Sequence, residues 1–234
     1  MTAFERLYSG LDREGPGVPE DVLWALSRLG LSGEVRVCDA GCGSGADTLT
    51  LGEVLPDAQI EAVEQMPHLA QEAQARVSDL AHVTVRCGDM ARIDGPYDLI
   101  WCAGAIYFLG VTEGLRAWSG ALAPGGAVAF SEPVRLAPDD PDVEAFWADY
   151  PNLTDLAGID SRVAAAGFEI IDHRLILGAP WAAYYSSLAA RMISLSSDPE
   201  PEMQEVLAES WQEATLWRAA RERIAYALIL ARPA

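Results

Sequence analysis

The feature that most restricts the fold of this chain is the glycine-rich run DAGCGSG at residues 39–45. Before it, residues 34–39 (EVRVCD) alternate apolar and polar side chains, which predicts a β-strand, and after it residues 46–54 predict a helix. Glycine lets the chain turn tightly and lets the backbone approach a ligand, because no Cβ intervenes. The sequence therefore predicts a strand, a bend open to a ligand, and a helix whose free N–H groups face that bend.

Strands and helices alternate on both sides of this bend. Further strands are predicted at residues 59–63, 83–87, 97–102 and 127–131, and further helices at residues 19–29, 67–80 and 111–122. Pro124, Gly125 and Gly126 predict a sharp turn, and the first dozen residues show little pattern. Such alternation predicts a parallel, doubly wound α/β sheet whose ligands bind beyond the carboxyl ends of the strands.

The second half of the chain changes character. It predicts a short aromatic helix near residues 143–150, helices at 156–166, 181–194 and 203–214, and strands at 168–177 and 224–231. We predict one domain over residues 1–234, with an N-terminal helical segment (1–30), a cofactor-binding core (34–135), a sixth strand with cap insertions (136–223) and a last strand (224–234). The aromatic side chains of residues 136–223 predict a small helical cap over a small-molecule pocket.

The composition disfavours several classes of function. Among the 234 residues, 35 are acidic and 16 are basic, all of the latter arginine, and the formal net charge is -19. This charge opposes a nucleic-acid partner, and no apolar run suits a membrane helix or a signal peptide. The four cysteines lack metal-binding spacing, so no metal site is predicted. A cytoplasmic protein with a small-molecule substrate is expected, and a homodimer through the late helices is a further hypothesis.

Two ligand classes are compatible with a glycine bend at the end of a strand. Gly41, Gly43 and Ala46 satisfy the dinucleotide pattern GxGxxG/A, and Glu64 follows about twenty residues later, as an acid that binds a ribose would. The other class is S-adenosyl-L-methionine. Asp39 favours it, because a carboxylate there would repel a pyrophosphate but could accept hydrogen bonds from the bend and face a cationic ligand.

Acidic residues also follow the next two predicted strands. Glu64 could bridge both hydroxyls of a ribose, Asp89 could accept from the amino group of an adenine, and Met90 could lie against the ring. Residues 103–105 (AGA), after the fourth strand, are small enough to let a ligand approach the backbone. Acids at three successive strand ends favour an adenosine-containing ligand with a cationic sulfur.

The ordered motifs DAGCGSG, VEQMP, CGDM, YDLIWCAGAIYFLG and LAPGGAVAFSEP resemble those of class I S-adenosylmethionine-dependent methyltransferases. Within that family the chain is similar to small bacterial members that act on small molecules, the quinone-biosynthesis C-methyltransferase group above all. The resemblance covers about residues 8–232. It implies a Rossmann-like α/β fold with helices on both faces of a seven-stranded sheet of order 3-2-1-4-5-7-6, the last strand antiparallel.

The resemblance also implies which residues contact S-adenosyl-L-methionine. They are Arg13, Asp39, Gly41, Gly43, Glu64, Gln65, Met66, Asp89, Met90 and Ala103. Asp39 and the two glycines would line the methionine end, Glu64 would hold the ribose, and the two residues after it would flank the adenine. Arg13, in the segment REGPG, would cover the cofactor or pair with its carboxylate.

The implied function is transfer of a methyl group from this cofactor to a small-molecule acceptor by in-line displacement. The reaction requires alignment of the acceptor atom, the methyl carbon and the sulfur, and exclusion of water from them. It requires a general base only where the acceptor must first lose a proton. Glu132, at the end of the fifth strand, is the candidate base, Tyr107 is a catalytic and substrate-contacting candidate, and Trp147 is a further substrate contact. Two alternatives stay open: a catalytically silent S-adenosylmethionine-binding protein and an NAD-dependent oxidoreductase.

Overall fold

The computed structural model describes residues 1–234 and contains seven strands. In chain order they are β1 (Arg36–Ala40), β2 (Gln59–Glu64), β3 (Val83–Cys87), β4 (Tyr97–Cys102), β5 (Leu122–Val134), β6 (Phe168–Leu177) and β7 (Ala225–Pro233). They form one sheet in the order β3-β2-β1-β4-β5-β7-β6. β7 runs antiparallel to both of its neighbours, and the other neighbouring pairs are parallel. The predicted fold class and strand order are confirmed.

Nine α-helices pack around the sheet. They are α1 (Ala3–Tyr8), α2 (Pro19–Leu29), α3 (Ala46–Val54), α4 (Pro67–Arg76), α5 (Val111–Trp118), α6 (Pro141–Phe146), α7 (Leu156–Ala165), α8 (Ala179–Leu195) and α9 (Pro201–Ala220). A short 3-10 helix, Ile106–Phe108, follows β4. Local chemistry explains the bounds of α2, which begins at a proline and ends at Gly30 with a left-handed φ of 65°.

The central strands are buried on both faces of the sheet. Because successive side chains of a strand point to opposite faces, neighbouring residues of β4 belong to different cores. Trp101 packs in the core formed with α1, α2, α8 and α9, whereas Cys102 packs in the core formed with α5 and α7. No helix combines the length and the apolar character that crossing a membrane requires.

Helix α1 lies in the first dozen residues, where the sequence pattern indicates no element. Thr2 and Glu5 form a reciprocal cap at its start, and Ala3 and Leu7 are buried. A helix of six residues is too short to be stable alone or to display a clear periodicity. It is therefore held by packing, which the local pattern does not reveal.

Several other predicted elements have different bounds in the structure, among them the aromatic helix, which spans Pro141–Phe146, and the helix predicted at residues 203–214, which spans Pro201–Ala220. The predicted turn at residues 124–126 lies inside β5, where the pairing with β4 shifts register between Tyr97 and Leu99. An irregularity in the strand pairing thus accommodates the proline and glycines without ending the strand. Helix α4 ends at Arg76, although its pattern predicts a helix to residue 80.

Candidate functional site

The glycine bend between β1 and α3 forms a cradle at the carboxyl end of the sheet. Gly41, Gly43 and Gly45 have φ values of 80°, 55° and 84°, which L side chains rarely adopt. A Cβ added to Gly41 would lie 2.7 Å from the Ala105 Cβ and 3.1 Å from the Met90 Sδ. The bend therefore brings the segments that follow β1, β3 and β4 into close contact, and the predicted cofactor contacts of these segments stay predictions.

Asp39 is buried at the end of β1, with only 2% of its surface exposed. Its carboxylate accepts a hydrogen bond from Thr48 Oγ1 on α3 at 2.6 Å. The predicted hydrogen bonds from the bend to Asp39 are therefore wrong, because the N–H groups of residues 41–44 donate to Val63, Glu64 and Glu14 instead. Burial, together with the nearby Asp47 carboxylate, raises the pKa of Asp39 to about 7.

Glu64, at the end of β2, holds the bend instead. Its Oε2 accepts from the Gly43 N–H at 3.0 Å, and its Oε1 accepts from the Met66 N–H at 2.8 Å. Each carboxylate oxygen has two lone pairs, so both can accept a further hydrogen bond from a ligand hydroxyl. Of the two predicted adenine neighbours, Met66 is half-buried and Gln65 is exposed.

Asp89 and Met90 follow β3 on the same edge of the sheet. Asp89 accepts from the Ala91 N–H at 2.8 Å and lies 3.6 Å from the Arg92 guanidinium. Its side chain is about half exposed, so a ligand can reach it. The Met90 carbonyl accepts from Trp118 Nε1 at 2.7 Å, which fixes this turn against α5.

Arg13 is engaged in an ion pair inside the protein. Its Nη2 donates to Asp47 Oδ1 at 2.5 Å, and Trp101 Nε1 donates to the other carboxylate oxygen at 3.0 Å. The predicted pairing of Arg13 with a cofactor carboxylate would have to compete with Asp47. Its predicted contact with the cofactor stays a prediction.

Glu14, the next residue, is a site residue that sequence reasoning missed. Its Oε2 accepts from the Ser44 N–H at 3.0 Å, directly over the glycine bend. Its Oε1 is buried and has no hydrogen-bond partner. Burial raises the pKa of Glu14 above its usual value, although the contacts with Ser44 oppose the shift. The signal that could have found it is its position in REGPG, immediately after Arg13.

Glu132 lies on β5 and is completely buried. Its Oε1 accepts from the Tyr150 hydroxyl at 2.5 Å and from Arg162 Nη1 at 3.3 Å. The other oxygen, Oε2, is buried without a partner. Burial raises the pKa of Glu132 to about 7, although Tyr150 and Arg162 act in the opposite direction. A buried carboxylate with one free oxygen and this pKa has the properties of a general base near neutral pH.

Aromatic side chains surround the Tyr150 ring. Its centroid lies 6.1 Å from that of Tyr107 and 6.2 Å from that of Trp147. Trp147 also contacts Tyr226 on β7, at 5.9 Å between centroids, and its indole N–H is buried without a partner. Burial raises the pKa of Tyr107 to about 12. The structure thus brings three predicted residues, Tyr107, Glu132 and Trp147, together around Tyr150.

Two surface cavities are lined by residues outside the glycine bend. One, of about 170 Å³, is lined in part by Tyr150, Asn152 and Arg162 and so reaches the partners of Glu132. The other, of about 440 Å³, lies at the amino ends of the strands, between Arg36 and Tyr97. No group of three or more His, Cys, Asp or Glu side chains is arranged to hold a metal ion.

The residues at the carboxyl edge suit an S-adenosylmethionine molecule. The cradle at Gly41 and Gly43 has room only where no Cβ is present, and Glu14 Oε1 is a buried acceptor without a donor. Acceptor oxygens of Glu64 and Asp89 follow on the neighbouring strand ends. The set is rich in carboxylates, which complements a ligand with a positive sulfur and an ammonium group.

Comparison with known proteins identifies the fold. Residues 37–126 match the family model described as a methyltransferase domain. An S-adenosylmethionine-dependent methyltransferase from Geobacter sulfurreducens, in complex with S-adenosyl-L-homocysteine, has a similar crystal structure, with a TM-score of 0.84 and 21% identity over 99% of this chain and 98% of that one. The chain has a methyltransferase fold. A second methyltransferase with the same ligand, from Thiobacillus denitrificans, has a TM-score of 0.85 at 19% identity, covering 99% of this chain and 98% of that one.

Curated relatives are similar to this chain in sequence over less than half of its length. A trans-aconitate 2-methyltransferase from Streptomyces avermitilis is 33% identical over 107 residues, which are 42% of this chain and 39% of the relative. A protein of unassigned function from Synechococcus is 33% identical over 115 residues, 46% of this chain and 28% of the relative. The matched region of the chain therefore spans well under half of the length of each of these two relatives.

Proposed function

We propose that this chain transfers a methyl group from S-adenosyl-L-methionine to a small-molecule acceptor. The observation that supports the proposal is the placement, on one edge of the sheet, of the glycine bend with the unpaired buried oxygen of Glu14, and of Glu132 with its own unpaired buried oxygen. When bound, the cofactor supplies a methyl carbon that its positive sulfur activates. The sheet order β3-β2-β1-β4-β5-β7-β6, with β7 antiparallel to β5, differs from the 3-2-1-4-5-6 strand order of dinucleotide-binding folds. This difference disfavours the oxidoreductase alternative.

The protein's own residues would bind, orient and deprotonate. Glu64 and Asp89 would accept from the ribose hydroxyls and the adenine amino group, and Met90 and Ala103 would line the adjoining surface. Glu132 Oε2 would take the proton of the acceptor, because Oε1 is already held by Tyr150 and Arg162. Tyr107 and Trp147 would orient the acceptor and exclude water from it.

The surroundings of Glu132 favour a flat, hydroxylated aromatic acceptor, the class on which quinone-biosynthesis C-methyltransferases act. Tyr107, Trp147 and Tyr150 offer ring faces for stacking, and Glu132 offers a base that can ionise a ring hydroxyl. Ionisation of that hydroxyl raises the electron density of the ring and so its reactivity toward a methyl cation equivalent. The indole N–H of Trp147 is a free donor for a second ring oxygen.

A polycarboxylate acceptor, as the name of the Streptomyces avermitilis relative describes, is the second candidate. Binding several carboxylates in a buried site requires several cations. Arg162 is the cation nearest to Glu132, and it already donates to Glu132 and, at 2.6 Å, to the Asn152 carbonyl. The charge of Glu132 itself opposes a carboxylate, so that the aromatic acceptor is favoured.

Two measurements test the proposed function. Calorimetry should show binding of S-adenosyl-L-homocysteine and no comparable binding of NAD; tight NAD binding without the sulfur ligand would contradict the proposal. Incubation with methyl-labelled cofactor and a set of hydroxylated aromatic compounds and of polycarboxylates should then transfer label to a member of the first set. Cofactor binding with no transfer to any acceptor would instead favour a catalytically silent binding protein.

The remaining expectations about partners stay predictions. A homodimer through α8 and α9 is testable by light scattering coupled to gel filtration. The cytoplasmic location and the role of residues 136–223 as a cap are likewise open to direct measurement, the first by fractionation and the second by hydrogen exchange with and without ligand.

A further inference from the structure

Residues 9–17, which we name the strap, cross the glycine bend and are tied to the helices beside it. The Glu72 carboxylate on α4 accepts from the Gly10 N–H at 3.0 Å. The Arg76 guanidinium, one turn later, donates to the carbonyls of residues 11 and 12 at 3.1 and 2.7 Å. Arg13 is bound to Asp47 on α3. The strap is therefore held on both sides of the bend, by α3 on one side and by α4 on the other.

The strap carries one acid that points at the bend. An added Cβ on Gly43 would overlap Glu14 Oε2, so the Glu14 carboxylate covers this glycine. Only one of its two oxygens is used, by the Ser44 N–H, and the other is buried and unpaired. A buried carboxylate oxygen without a donor costs free energy, and a cationic or hydrogen-bonding partner would offset this cost.

The geometry of the cofactor leaves one of its parts for this position. The positive sulfur carries three arms: the adenosyl group, the methyl group and the aminobutyrate chain. The adenosyl arm would extend toward Glu64 and Asp89, beyond β2 and β3, and the methyl arm must face Glu132, at the end of β5. The third arm, which carries an ammonium and a carboxylate, is then left at the β1–α3 bend, beneath Glu14.

We propose that Glu14 Oε1 accepts a hydrogen bond from the ammonium group of the aminobutyrate arm, and this inference rests on the proposed function. The strap then selects ligands by that cation. Arg13 acts as a positioning residue, because its ion pair with Asp47 fixes the backbone from which Glu14 reaches the bend. In the segment REGPG, Glu14 thus contacts the ligand, and Gly17 has no side chain that would occupy the space of the Arg13 guanidinium.

The test compares ligands that differ in the third arm. S-adenosyl-L-homocysteine carries both the ammonium and the carboxylate, decarboxylated S-adenosyl-L-homocysteine carries the amine alone, and 5′-methylthioadenosine carries neither. Their dissociation constants are measured by calorimetry for the wild type, for Glu14→Gln and for Asp12→Asn. The last is the matched control, since Asp12 is an exposed acid on the same strap.

Glu14→Gln should raise the dissociation constants of both amine-bearing ligands by about 10-fold to 100-fold, the range expected for a lost charged hydrogen bond. It should leave that of 5′-methylthioadenosine within about twofold, which also shows that the variant is folded, and Asp12→Asn should change none of them. If the dissociation constants of the two amine-bearing ligands stay unchanged in Glu14→Gln, or if those of all three ligands rise equally, the inference is overturned but the proposed function is not. A wild type that binds none of the three would overturn the inference and the proposed function together.

Discussion

Replacing Glu132 with glutamine is the perturbation that tests the acceptor side most directly, because the substitution keeps the shape of a completely buried side chain. Burial raises the pKa of Glu132 from 4.5 to about 7. Between these values the folded protein keeps a proton that the unfolded chain has released, so the free energy of unfolding falls by about 1.4 kcal/mol per pH unit as the pH rises. The full loss from this residue is roughly 3 kcal/mol, complete above the folded-state pKa, and the glutamine variant would not incur it because an amide does not titrate.

The assay is urea unfolding at about pH 5.5 and about pH 8, chosen to bracket most of this interval. The stability of Glu132→Gln relative to the wild type should rise by about 2 kcal/mol between the two pH values. Asp149→Asn, an exposed acid one residue before Tyr150, is the matched control and should show no such change. A difference between Glu132→Gln and wild type that does not vary with pH would refute the reasoning.

The same variant separates catalysis from binding. Methyl transfer should fall by about 10²-fold to 10⁴-fold, the usual contribution of a general base, while the affinity for S-adenosyl-L-homocysteine should stay close to that of the wild type. Transfer at the wild-type rate would show that Glu132 does not take the acceptor's proton.

Three further substitutions test the cofactor side and its support. Asp89→Ala should raise the dissociation constant of S-adenosyl-L-homocysteine by roughly 5-fold to 100-fold in calorimetry, because an adenine donor loses its acceptor; an unchanged constant would contradict the adenine assignment. Gly41→Val should abolish that binding and lower the melting temperature, since its Cβ alone would lie 2.7 Å from a neighbouring methyl group at a φ of 80°; retained binding would exclude a cradle there. Arg13→Met should lower the free energy of unfolding by about 3 kcal/mol, because it leaves the Asp47 carboxylate buried without its cation. Arg28→Met, which breaks a more exposed ion pair, should cost less than about 1 kcal/mol in the same denaturation experiment, and equal losses would contradict this account.

Several elements could be predicted to the residue because their causes are local. α2 begins at a proline and is followed by a left-handed glycine, β3 alternates apolar and polar residues, and β4 is a short, largely apolar segment. The bend at residues 41–45 follows from the same kind of cause, since the left-handed φ values at its three alternate positions, Gly41, Gly43 and Gly45, favour glycine. Neighbouring residues therefore determine the position of the glycine bend, which is the candidate cofactor cradle.

The hydrogen bonds that hold the cradle have a different origin. Asp39 bonds to Thr48 rather than to the bend, and the bend amides go to Glu64 and to Glu14 on the distant strap. The acceptors Asp39, Glu64 and Glu14 are all acidic residues, and the periodicity of the sequence cannot tell which of them binds which donor. The choice depends on which side chains the packed helices bring within about 3 Å of each other.

Alternation, glycines and prolines thus place most of the strands and helices and the carboxyl edge of the sheet, because backbone preference acts over a few residues. The raised pKa values of Glu132 and Asp39 and the unpaired buried oxygen of Glu14 depend on tertiary packing, because residues remote in the chain bury these carboxylates. Exclusion of water by such residues disfavours the charged form of a carboxylate, and the local sequence pattern does not reveal it.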